Sequence, residues 1–162
     1  MSVRLVEGAE QAVTEEIARA MQDERNAIIY ALHYAGTKAV EKARLIVTAG
    51  GGGSVLPPYT VQTGNLVSSV GYAIVEDGKI IETSSFEAVS GPKGDGQEGS
   101  ATGKAYVKEL AMRYSKGFAL ILVAGMHYAS YVQEIYHKDV LVSGSLVAEQ
   151  LVMELQQDFK GK

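Results

Sequence analysis

The residues of this 162-residue chain best able to bind a metal or move a proton near neutral pH are His33, His127 and His137. A metal site would need two histidines four apart on a helix, or a histidine set completed by a carboxylate. No pair here has that spacing and no glutamate completes a set, so all three read as independent polar or half-buried side chains. His127 lies two residues past Gly125, just beyond an apolar run, a place where catalytic groups occur. There is no cysteine, which removes disulfides, thiolate metal sites and a thiol nucleophile. No Gly-x-Ser-x-Gly is present, and Ser68, Ser69, Ser84 and Ser85 have no His and Asp beside them in sequence. Gly94-Asp95-Gly96-Gln97-Glu98-Gly99 satisfies G-x-G-x-x-G, but no strand-to-helix turn opens it and Lys116 stands where an acidic residue belongs. Gly103-Lys104 is like the end of a P-loop, yet Glu98 occupies the position of its first glycine and Ala105 that of its Ser or Thr. Carboxylates are scattered over helix surfaces, where solvated charge is the ordinary explanation. The expectation is a chain with no catalytic residues, no metal and no cofactor.

Positioning falls to the elements, and Phe118–Glu134 organises them. Phe118 to Ala124 is an unbroken apolar run that reads as a strand buried on both faces and central to the sheet. Past Gly125 the period changes, and Tyr128, Tyr131, Val132 and Ile135 share one helical face. Tyrosine suits a surface that another chain covers, although spacing alone favours tyrosines that cap the chain's own core. A net charge of −4 gives no broad basic field for nucleic acid, 46% apolar residues are ordinary for one globular domain, and the lack of cysteine fits a cytosolic origin. Met1 to Glu10 has no apolar core of a secretory signal, and no apolar run approaches the roughly 20 residues of a membrane span.

Ahead of this segment, Val3 to Val6 reads as a short extended piece. From Ala9 a helical pattern runs through Val13, Ile17 and Met21 and resumes at Ile28, Leu32 and Ile46. It is either one long helix or two with a joint near Asn26. Ala31, Ala35, Ala39 and Ala43 form a stripe for close packing. Gly50 to Gly53 ends the helix in a flexible linker at about 49–58, stiffened by Pro57-Pro58. Thr63-Gly64-Asn65 is turn chemistry, after which Leu66, Val70, Tyr72 and Ile74 share a strand face. Asp77-Gly78 predicts a tight antiparallel hairpin returning over Ile80 to Phe86. A mobile loop is expected at about 90–104, then a helix, or alternatively a strand, toward Ser115. Tyr136 to Asp139 is a polar break. Ser143-Gly144-Ser145 is suited to cap a last helix reaching about Phe159, with Gly161 as a stop. The fold expected is α+β, an antiparallel sheet packed against a long N-terminal helix and a C-terminal helix.

Two motifs in register resemble those of a known family. Thr63-Gly64-Asn65-Leu66-x-x-Ser69-Val70 is similar to the TGNLxxSI element, and Tyr128-Ala129-x-Tyr131-Val132-x-Glu134 to the YAxYVE element, of the HK97 gp10-like proteins of tailed phages. The order of elements from Ala9 to Phe159 agrees as well. Gln133 precedes Glu134, Ile135-Tyr136 replaces the usual GT, and the proline-rich stretch before the last helix is missing. The resemblance implies one head–tail connector-like domain over 1–162, a virion structural protein made in the host bacterial cytoplasm, joining head to tail without catalysis. It implies a ring-forming homo-oligomer through which DNA passes, meeting portal or adaptor proteins and tail-tube or tail-terminator proteins, with no membrane and no specific nucleic-acid binding. Thr63, Gly64, Asn65, Leu66, Tyr128, Tyr131, Val132 and Glu134 are then the candidate interaction residues. A tail terminator is an alternative role. A rival of another class is a small nucleotide- or phosphate-binding enzyme using Gly91 to Lys104.

Overall fold

The computed structural model describes residues 9–48, 61–135 and 141–160. The expected Val3–Val6 piece, the linker at about 49–58 with its glycines and prolines, the break at Tyr136–Asp139 with His137, and the stop at Gly161 lie outside the described residues. Within them the fold is α+β, with a long N-terminal helix, a three-stranded antiparallel sheet and a C-terminal helix.

Helix α1 (Ala9–Thr48) is continuous. The polar stretch Gln22–Asn26 contains neither Gly nor Pro, and Gln22 Nε2 donates to Asn26 Oδ1 at 2.9 Å one turn on, so nothing breaks the ladder there. At 40 residues the helix is about 60 Å long. A short helix α2 (Asn65–Ser68) leads into β1 (Val70–Glu76). Leu66 therefore stands on a helical turn, not on the expected strand face, because the Gly64 carbonyl accepts the Ser68 amide and the Asn65 carbonyl that of Ser69. The hairpin follows as the sequence predicts. Asp77 and Gly78 both have positive φ, 48° and 80°, and β2 (Lys79–Thr83) returns antiparallel. It stops short of Phe86, whose own φ of 49° turns its ring under α3.

Helix α3 (Gln97–Ala111) begins well inside the stretch expected as a mobile loop and ends before Ser115. Asp95 Oδ1 accepts the Gln97 amide at 3.0 Å, and Gly99 and Gly103 are buried where the helix crosses other backbone. Those glycines looked like loop residues because a helix glycine needed for close approach has the same composition as a flexible one. Ahead of α3, Gly91 and Gly94 pair across a tight turn.

Strand β3 (Phe118–Ala124) completes the sheet in the order β2-β1-β3. The central strand is thus β1, not Phe118–Ala124. The apolar run of β3 has another cause, cover on both faces. Tyr72, Ile74, Leu120 and Leu122 face α1, with α5 (Val142–Lys160) reaching Leu120 and Leu122. The alternate residues Ala73, Val75, Ile121 and Val123 pack with Val107 and Ala111 of α3. The alanine stripe does admit a close neighbour, since Ala35 and Ala39 meet Ala148 of α5. Gly36 weakens the helix locally, but a Cβ there would lie 2.8 Å from the Tyr72 ring. Ser143-Gly144-Ser145 lies inside the first turn of α5, which starts at Val142, one residue ahead of the expected cap. Helix α4 (Ala129–Ile135) follows β3.

Candidate functional site

The TGNL turn begins at a glycine that nothing else could replace. Gly64 has φ of 77°, and a Cβ on it would run into the Val89 carbonyl oxygen. With the chain turned there, Thr63 Oγ1 accepts the Asn65 amide at 3.3 Å. The Asn65 side chain then points at the start of α3. Its Nδ2 donates to Glu98 Oε2 at 2.7 Å, and its Oδ1 accepts the Gly99 amide at 3.3 Å. A residue 34 positions upstream thus satisfies a free amide in the first turn of α3, and Glu98 places negative charge at the same helix end. Ser68 Oγ donates to the Gly64 carbonyl and accepts the Val89 amide, each at 2.8 Å.

The second motif arrives against this turn. The Gly125 amide donates to the Ser69 carbonyl at 3.2 Å, and the Met126 amide to Ser69 Oγ at 3.4 Å. Gly125 crosses α3 so closely that a Cβ on it would sit 2.7 Å from Gly103 Cα. Beyond this crossing Met126 and Val132 pack with Leu66, Val67 and Val70, with Tyr128 and Ala129 closing over them. Burial pushes the Tyr128 phenol above its ordinary pKa, opposed by its hydrogen bond with the Thr63 side chain and aided by Glu98. Residues about sixty positions apart in sequence therefore share one cluster, with Ala43 and Val47 of α1 as its base.

The candidate residues divide by exposure. Gly64, Asn65, Leu66 and Val132 are buried, Thr63 and Tyr128 are half-buried, and Glu134 is exposed. The Tyr131 side chain lies outside the described residues. Most of the motif thus builds the corner from inside, and what it offers outward is the rim of Thr63, Tyr128 and Glu134. His127 is exposed beside this rim, its ring edge-on to Tyr128 at 5.7 Å.

A polar cleft elsewhere escaped the sequence. His33 Nδ1 of α1 lies 2.7 Å from Glu82 Oε1 of β2 and 2.9 Å from the Tyr72 hydroxyl of β1. No spacing signals this, because the three belong to three elements. The hydroxyl on the imidazole is a phenol whose ionisation burial makes harder, and Ser84 Oγ is already engaged by the Tyr72 amide at 3.0 Å. The group therefore ties helix to sheet, as does Arg25 of α1, which grips Glu76 of β1 with Nε at 3.0 Å and Nη2 at 2.6 Å. The glycine-rich stretch proposed as a phosphate cradle is occupied by the chain itself. The Gln97 and Gly99 amides are bound by Asp95 and Asn65, and carboxylates of Asp95 and Glu98 flank them. Among the described residues no cluster of His, Asp and Glu could hold a metal ion, and no helix is long and apolar enough to cross a membrane. No family model, no curated protein and no solved structure matches the chain.

Proposed function

We propose that the chain is a virion structural protein of a tailed phage or prophage, a head–tail joining component that works by oligomerising and docking and carries out no catalysis. The observation that supports this best is the convergence of the two motif segments, whose Leu66, Val67, Met126 and Val132 form a single buried cluster. A motif pair that fixes one corner of a fold is what a shared scaffold requires, and it leaves the rim free to meet neck proteins on the portal or tail side. Deleting the gene from an inducible phage tests the reading. Full heads and complete tails should accumulate separately in electron micrographs, whereas joined, infectious particles would overturn it. The phosphate-binding rival has its own test. A ligand at a hundred times its Kd stabilises by about 2.7 kcal/mol, so a saturable rise in melting temperature with ATP or NAD would favour the rival. No shift is the expected result, because the Gln97 and Gly99 amides at the start of α3 are already taken and the Asp95 and Glu98 carboxylates flank them.

A further inference from the structure

Among the described residues, the first part of α1 is an arm with little packed against it. Every described side chain from Glu10 to Glu24 is exposed, and Glu24 lines the groove in which α1 meets Leu155 and Gln156 of α5. A solvent-facing helix should be polar all round, yet Val13, Ile17 and Met21 recur every fourth residue and are 55%, 55% and 66% exposed. Five carboxylates and one arginine surround this stripe between Glu10 and Glu24.

On the opposite face of the sheet, the outer side of α3 has the complementary character. Between Glu98 and Lys116, α3 and the turn that follows it carry Lys104, Lys108, Arg113 and Lys116 against two carboxylates, of which Glu98 is bound by Asn65 and Glu109 by Arg113. Exposed apolar groups lie among these cations, including Ala101, Ala105 and Met112, the last 74% exposed. The alanines let a second helix lie close. The lengths agree too: the arm from Ala9 to Glu24 is about 24 Å long and α3 about 22 Å.

We propose that the arm of α1 docks along the outer face of α3 of a second copy of this chain. This deepens the assembling role proposed above and rests on it. The two patches differ and lie on opposite faces of the sheet, so the contact is head-to-tail, the kind that generates rings or open helical arrays. Acidic arm and basic helix favour this pairing over arm on arm, where like charges would meet.

Sedimentation velocity of the purified full chain over a range of concentration and salt tests it. Wild type should form concentration-dependent oligomers that weaken as salt rises. Ile17→Glu with Met21→Glu should weaken association about tenfold or more, and Lys104→Glu with Lys108→Glu should do likewise. These side chains are exposed, and far-UV circular dichroism should show unchanged helix content. As a second arm variant, Glu15→Lys with Glu16→Lys keeps the apolar stripe and should also weaken assembly. Mixing the arm variant with the α3 variant leaves one intact arm and one intact face, so the mixture should yield dimers and nothing larger. Oligomers that persist in all variants would overturn the arm contact while leaving the assembling role in place. A wild type that stays monomeric throughout would overturn both, and a mixture without dimers would overturn the head-to-tail arrangement.

Discussion

At the scale of single residues, the corner depends on Gly64 more than on any chemically active group. An alanine there would have to hold a left-handed backbone and push the Val89 carbonyl aside. Gly64→Ala should cost about 2 kcal/mol or more of unfolding free energy in denaturant titrations. Asn65 acts differently, through two hydrogen bonds to the start of α3. Tyrosine ionisation gives a third measurement. Burial raises the pKa of both Tyr72 and Tyr128 above the ordinary value of 10.0. Above that pH the unfolded chain loses these protons first and the folded chain keeps them, so stability must fall as pH rises through the alkaline range. Tyr72 and Tyr128 should therefore titrate late in phenolate absorbance, and Tyr128→Phe should remove one of these late steps and flatten the alkaline loss.

At the scale of elements, the crossing of α3 by the chain leaving β3 decides whether the two motifs meet. Gly103 lies where a Cβ would stand 2.6 Å from the Ser69 carbonyl oxygen and 2.7 Å from the Phe86 ring. Gly103→Val should destabilise by about 3 kcal/mol and lower the melting temperature accordingly. This crossing was the part of the fold least legible in sequence. Periodicity placed α1, the Asp77-Gly78 hairpin, the β3 strand and α5, since each follows from local repetition or from one turn of fixed chemistry. The start of α3 was hidden because its buried Gly99 and Gly103 carry the composition of a loop, and only the long-range contacts to Asn65, Ser69 and Phe86 reveal their use. The central place of β1 was hidden for a related reason. Ser68 and Ser69 before it and Gly71 within it dilute an apolar run that the structure buries completely from Val70 to Val75. The motif residues were legible as a pair, and spacing favoured tyrosines that cap the chain's own core, as Tyr128 does. The inward turn of Gly64 and Asn65 was not legible, because a motif records which residues matter and not which way they point. The His33–Glu82–Tyr72 group had no sequence signal at all, being assembled from three elements by the packing of α1 on the sheet.

At the scale of the whole molecule, α1 is both a wall of the core and a free arm, and these halves should differ in stability. Isolated helices of this length are marginal in water. Backbone amides from Glu10 to Glu24 should exchange with deuterium about tenfold faster or more than those from Ala31 to Val47, which lie over the sheet and α5. A uniform rate along α1 would contradict the division. Arg25 stands at the boundary, held by Glu76 at the end of β1, and His33 is held two turns further on by Glu82. The helix is unbroken across that boundary. A load on the arm would therefore first meet the sheet at the Arg25–Glu76 pair, beside the turn of the β1–β2 hairpin.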